Sequence, residues 1–132
     1  MANRRIEEEV ERLSRIRDEG PGAAATAALR KGLADRTGLV AAKAAAIAAE
    51  LRLAETIPDL LRAFDRLFEK PVERDPQCWG KNAIARALTE LNYRESAPYL
   101  RGARHVQMEP VWGGQEDTAP TCLLYTSDAA DE

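Results

Sequence analysis

The side chains with chemical potential in this chain are few: Cys78, His105, Lys81 behind Gly80, and the tryptophans Trp79 and Trp112. A cysteine beside a histidine can act as a nucleophile, because the imidazole takes the thiol proton and leaves a reactive thiolate. Nothing in the spacing of Cys78 and His105 fixes them within bonding distance. A structural zinc takes four ligands, with Cys and His in close pairs, and no such pair is present. Gly80-Lys81 has the ending of a phosphate-binding loop, but that pattern also requires Gly at 75 and Ser or Thr at 82. Asp75 and Asn82 stand there instead, and no dinucleotide fingerprint is found. The sequence therefore assigns no catalytic residue, no metal ligand and no cofactor. Cys78 reads as a small, reduced, partly buried residue at a helix start. Trp79 aligns with Leu39 in the repeat set out below and reads as a core residue. Trp112, within Pro110-Val111-Trp112-Gly113-Gly114, has no apolar counterpart; it either packs under its own loop or offers an aromatic anchor to a partner.

Positioning such residues falls to a chain of 132 residues, enough for one domain. Hydrophobic residues make up 45% but aromatics only 5%, and 24 residues are Ala. Nineteen basic residues against 22 acidic give a net charge of −3. That balance argues against a nucleic-acid binder or an anionic-membrane binder, since phosphate attraction needs a clustered positive excess. No apolar run reaches the roughly 18 residues of a membrane span and no signal-peptide core is present, so the expectation is a soluble, cytoplasmic protein. Residues 122–132 resemble the conceptual translation of a transposon-end sequencing adapter, matching it at ten consecutive complete codons. They are expected to have no native structure. Without Asp128, Asp131 and Glu132 the acids number nineteen, equal to the bases. The mild acidity then carries no information about partners, and Cys78 is the one cysteine left.

The organisation is helical throughout. Ile6, Val10, Leu13 and Ile16 recur at helical spacing and predict an amphipathic capping helix within residues 1–20. Gly20-Pro21-Gly22 ends it, and residues 22–121 follow as helices and short loops with no strand-like alternation. Within that stretch the sequence repeats at an offset of 40. Asp35 returns as Asp75, Ala45 as Ala85, Glu50-Leu51 as Glu90-Leu91, Glu55 as Glu95, Pro58 as Pro98, Leu60 as Leu100 and Ala63 as Ala103. Each unit reads as two helices. Asp35 opens the first, whose stripe is Leu39, Val40, Ala44, Ile47, Ala48 and Leu51. Thr56 caps the second, with Asp59 three residues on as a capping box and Pro58 in the first turn. Residues 70–77 and 107–115 read as longer loops, and Glu116 to Ala119 as the start of a further first helix.

A period near 40 with two helices per unit, a loop Asp, an Ala-rich first helix ending in Glu-Leu and a Pro early in the second helix resemble the HEAT-repeat family, and more loosely the HEAT-like repeats of phycobilisome-lyase-type proteins. The resemblance implies an all-α, right-handed α-solenoid of antiparallel helix pairs. It implies a scaffold that binds another protein through an extended curved surface and does no chemistry of its own. The alternatives it carries are a lyase-like or chaperone-like cradle for a prosthetic group or client, and a nucleic-acid-binding array. Because the second helices of such arrays line the concave surface, it makes Arg62, Arg66, Arg101 and His105 candidates for partner contact, beside Trp112. The competing reading is a solvated face of mixed charge, since Asp59, Asp65 and Glu69 share the helix with Arg62 and Arg66.

Overall fold

The computed structural model describes residues 2–111 and 114–117, a mostly helical protein held together by helix-on-helix packing. Trp112 and residues 118–132, including the adapter-like tail, lie outside the described residues. No described helix is long and apolar enough to cross a membrane.

Helix α1 (Ala2–Glu19) carries the expected stripe. Leu13 is fully buried, and Ile6, Val10 and Ile16 are half-buried against α3 and α2. The chain reverses at Gly20, whose φ of 88° is left-handed and suits glycine. Helix α2 (Ala23–Leu33) follows, with Leu29, Gly32 and Leu33 buried. Helix α3 (Gly38–Glu50) sits at the centre and packs most extensively on α6, then on α2 and α1. Its alanines let three neighbours approach closely: Ala41, Ala44, Ala45, Ala48 and Ala49 are all buried. Leu39, assigned to the stripe, is 38% exposed. Helix α4 (Ile57–Arg66) contributes Leu60, Ala63 and Phe64 to the core. A short helix α5 (Pro71–Arg74) and a 3₁₀ turn over Pro76–Cys78 lead into α6 (Trp79–Glu90), and α7 (Ala97–Ala103) packs on α6.

The offset of 40 seen in the residues returns in the backbone. Glu50 and Glu90 end α3 and α6, and each helix is closed by a left-handed residue, Arg52 (φ 58°) and Asn92 (φ 63°). In both, the following amide reaches back over the last turn, Leu53 N–H to the Ala48 carbonyl and Tyr93 N–H to the Leu88 carbonyl, each at 2.9 Å. This satisfies the last free carbonyls of the helix. The next helices begin at Ile57 and Ala97, again 40 apart.

Four expectations are corrected. First, residues 108–117 are not a loop running into a helix. Strands β1 (Met108–Val111) and β2 (Gly114–Asp117) pair antiparallel, Met108 opposite Asp117 and Val111 opposite Gly114. Their alternation was invisible because it is inverted: Gln107 and Glu109 are buried, while Val106 and Met108 are 64% and 47% exposed. Second, Trp79 is 48% exposed and not in the core. Gln77 and Cys78 are both left-handed, which turns Cys78 inward at the start of α6 in place of Trp79. Third, Thr56 does not cap α4. Its own φ and ψ are helical because the preceding 3₁₀ turn (Ala54–Thr56) already leads in, and its hydroxyl donates to the Leu53 carbonyl at 2.7 Å. Asp59 turns to arginines instead. Fourth, residues 70–77 hold helical turns and not an open loop.

Asp35 ties α1 to the head of α3. Its carboxylate accepts from Arg5 Nη1 at 3.0 Å and from the Thr37 amide at 2.8 Å. Partial burial opposes its ionisation, but the bonds from Arg5 and Thr37 and the guanidinium charge outweigh that and hold its pKa below the ordinary 3.8. A depressed carboxylate stabilises the fold above its unfolded pKa and loses that contribution as pH falls through the folded value. Asp35→Asn is therefore expected to lower stability at neutral pH by about 1 kcal/mol, because the Arg5 end of the pair is exposed and water screens it. Urea titrations at stepped pH should show wild type and variant converging only below pH 3.8. A gap that stays constant as pH falls through and below 3.8 would refute the assignment.

Candidate interaction strip and the polar cluster at its edge

Helices α2, α4 and α7 present a strip of arginines, and each arginine is engaged within the chain. Arg30 Nε lies 3.0 Å from Asp59 Oδ2, and Arg62 Nη2 lies 2.7 Å from the other oxygen of the same carboxylate. Arg101 Nη1 reaches across from α7 to Asp65 at 2.5 Å. Arg66 donates to the carbonyls of Leu33 (2.7 Å) and Ala34 (3.1 Å), capping the end of α2. Only the Asp59–Arg62 contact is a pair within α4; Asp65 and Arg66 join neighbouring helices. The structure thus gathers Arg62, Arg66 and Arg101 on one strip, with His105 just past the end of α7. Arg62 and Arg101 still keep 68% and 48% of their side chains exposed.

A cleft of about 620 Å³ opens at the α7 end, lined by Phe68, Leu100, Arg101, Arg104 and His105 among others. Phe68 is its organising ring. It meets Phe64 edge-on at 5.0 Å and His105 edge-on at 4.8 Å, with the Arg101 guanidinium 4.1 Å above its centroid. A cation over an aromatic face is held by the ring quadrupole. In the sequence Phe68 shows only helical spacing from Phe64, and nothing marks it as an organising ring.

Beneath this cleft lies a buried polar cluster. Asp75 is fully buried, and Lys81 is 1% exposed. Asp75 Oδ1 accepts from the Gly80 amide at 2.5 Å, and Oδ2 accepts from the Lys81 amide and from Lys81 Nζ, both at 3.0 Å. Lys81 Nζ also donates to the Leu67 carbonyl at 3.2 Å, near the end of α4. Asp75 and Asp35 therefore do equivalent work. Each carboxylate accepts amides at the head of a first helix, where the dipole favours negative charge, and each holds one cation. Lys81, in the failed phosphate-loop pattern, is occupied by this pair.

Gln107 joins the hairpin to that cluster. Its Nε2 donates to the Asp75 carbonyl at 2.7 Å and to Glu109 Oε2 at 2.9 Å. Its Oε1 accepts from Cys78 Sγ at 3.2 Å and lies 2.9 Å from His105 Nε2. Glu109 in turn accepts from the Gln77 amide at 2.5 Å. Cys78 and His105, unrelated by spacing, thus converge on one amide oxygen. With an amide oxygen as acceptor, Nε2 carries the proton and the thiol donates, so this arrangement orients a thiol and an imidazole without passing a proton between them through Gln107. Among the described residues no three His, Cys, Asp or Glu side chains gather as a metal site. Compared with protein families, curated proteins and solved structures, the chain matches none of them.

Proposed function

We propose that this chain is a non-enzymatic protein-interaction scaffold, an α-solenoid of HEAT-like antiparallel helix pairs capped by α1. The observation that carries the reading is the backbone repetition: α3 and α6 end in the same left-handed closure 40 residues apart, and these two first helices make the most extensive helix contact. A unit that repeats in conformation and packs on its own copy is how a stacked array builds its core. The α7 cleft then supplies the contact for another protein, with Leu100 and the edge of Phe68 suiting an apolar or aromatic side chain and Arg104 at its margin. Nucleic-acid binding draws no support from the strip, because Arg30, Arg62 and Arg101 each lie on a carboxylate.

Duplicating residues 53–92 in frame tests the architecture. An array absorbs the extra unit, and its urea m-value rises in proportion to the added surface. A collapsed or aggregated product would count against the solenoid. The function is tested by cross-linking in cells that encode the gene. One protein should be recovered by wild type and lost with Arg101→Glu or Leu100→Asp, while recovery of nucleic acid, or of the same protein by both variants, would sink the proposal.

A further inference from the structure

Away from the arginine strip, α1 and α3 carry charges of a different kind. Between α1 and α3 runs an open apolar groove of about 540 Å³, floored by Ile6 and Val10 from α1 and by Leu39 and Ala42 from α3. Its rims hold Glu7 and Glu11 on α1 and Lys43 on α3. These three side chains form no hydrogen bond or ion pair among the described residues, whereas Arg30, Arg62, Arg66 and Arg101 of the strip are all engaged. Leu39, 38% exposed, stands on the floor as a large apolar residue facing outward.

We propose that this groove is the contact face between two copies of the chain, packed about a twofold axis. The argument is charge complementarity. Acids line one rim and a base lines the other, so the surface complements itself when turned through 180°. The α1 helix of each copy then lies along α3 of the other. Lys43 of one copy comes opposite Glu7 and Glu11 of the second, and Leu39 enters between Ile6 and Val10. Glu7 and Glu11 are one helical turn apart on α1, as Leu39 and Lys43 are on α3, so one register serves the apolar and the charged contacts together. Every contact occurs twice. The face is one helix pair wide, which places it among small, reversible interfaces and not obligate ones. It does not rest on the solenoid reading and involves none of the strip residues.

Sedimentation equilibrium of the full chain, from micromolar to high micromolar concentration, tests it. Wild type should show a monomer–dimer equilibrium. Glu7→Lys/Glu11→Lys should weaken it about tenfold or more, because each reversal sets like charges together twice, and Lys43→Glu should weaken it similarly. An equimolar mixture of these two variants should recover dimers as strong as wild type. Leu39→Asp should remove association while leaving the helical circular dichroism unchanged, since its side chain sits at the surface. A chain monomeric at every concentration overturns the proposal, as does a dimer indifferent to both reversals. Weakened dimers that the mixture fails to restore overturn it too, since the charges then do not face each other.

Discussion

Asp75→Ala should destabilise the protein by about 3–5 kcal/mol, because it leaves the buried Lys81 ammonium without its counter-charge. Lys81 is 1% exposed and would keep only the Leu67 carbonyl as acceptor. The same change also strips an acceptor from the Gly80 and Lys81 amides at the head of α6. A typical domain is stable by only about 5–15 kcal/mol, so the loss removes a large share. Lys81→Met separates the two contributions. It removes the ammonium but leaves Asp75 with both amide donors, so the expected cost is smaller, about 2–3 kcal/mol. A double variant, Asp75→Leu with Lys81→Met, should recover part of the loss and not all. Apolar replacement of a buried pair is often neutral, but the two amides remain unsatisfied. Urea midpoints with unchanged m-values measure all three. An Asp75→Ala variant within 1 kcal/mol of wild type would show that water reaches the pair and that the cluster is not a structural anchor.

What was legible in the residues follows from which forces act locally. The stripe of α1 and the offset of 40 were readable because helical stripes and helix ends depend on neighbours three and four positions away. The two loop aspartates were readable for the same reason, as residues at the heads of helices. The partners of Asp35 and Asp75 were not. Arg5 lies 30 positions from Asp35, while Lys81 lies six from Asp75 and could have been any surface lysine. The hairpin escaped notice for a different cause. A strand announces itself by burying apolar residues on alternate positions, and β1 with its lead-in buries Gln107 and Glu109 and shows Val106 and Met108 to solvent. Its inward face is bound by hydrogen bonds to the turns before α6, and no hydropathy pattern records that. The exposed arginines were found as a group, yet their engagement by Asp59, Asp65 and the end of α2 depends on how helices stack. Trp79 was misplaced because two consecutive left-handed residues, Gln77 and Cys78, shift the face that α6 presents in its first turn.

Gly38→Ala should be the most damaging change that only adds a methyl group. Helix propensity alone favours Ala, by up to about 1 kcal/mol, so propensity and packing predict opposite signs. A Cβ at Gly38 would overlap Asp75 Oδ1 and come within 2.8 Å of the Arg74 carbonyl and 3.0 Å of Asp75 Cα. None of these atoms can yield cheaply, since two are backbone and the third is held by the Gly80 amide. Gly80→Ala meets the same point from the other side, with Cβ 2.7 Å from a Leu67 methyl, 2.9 Å from Asp75 Oδ1 and 3.0 Å from the Gly38 carbonyl. The heads of α3 and α6 approach this closely because glycine stands at both, which also keeps water from the Asp75–Lys81 pair. Overpacking a rigid site costs about 1–3 kcal/mol and occasionally more; each variant should fall at the upper end of that range, Gly38→Ala beyond it. Gly32→Ala is the control. Its Cβ would meet side-chain atoms only, Ala44 Cβ at 3.0 Å and the Leu13 methyls at 3.3 Å, and a shift of Leu13 can relieve part of the crowding, so a change under about 1.5 kcal/mol is expected. Thermal melts rank the three variants. If Gly38→Ala melts at or above wild type, propensity has won, and the close approach of α3 to the Asp75 loop is looser than drawn.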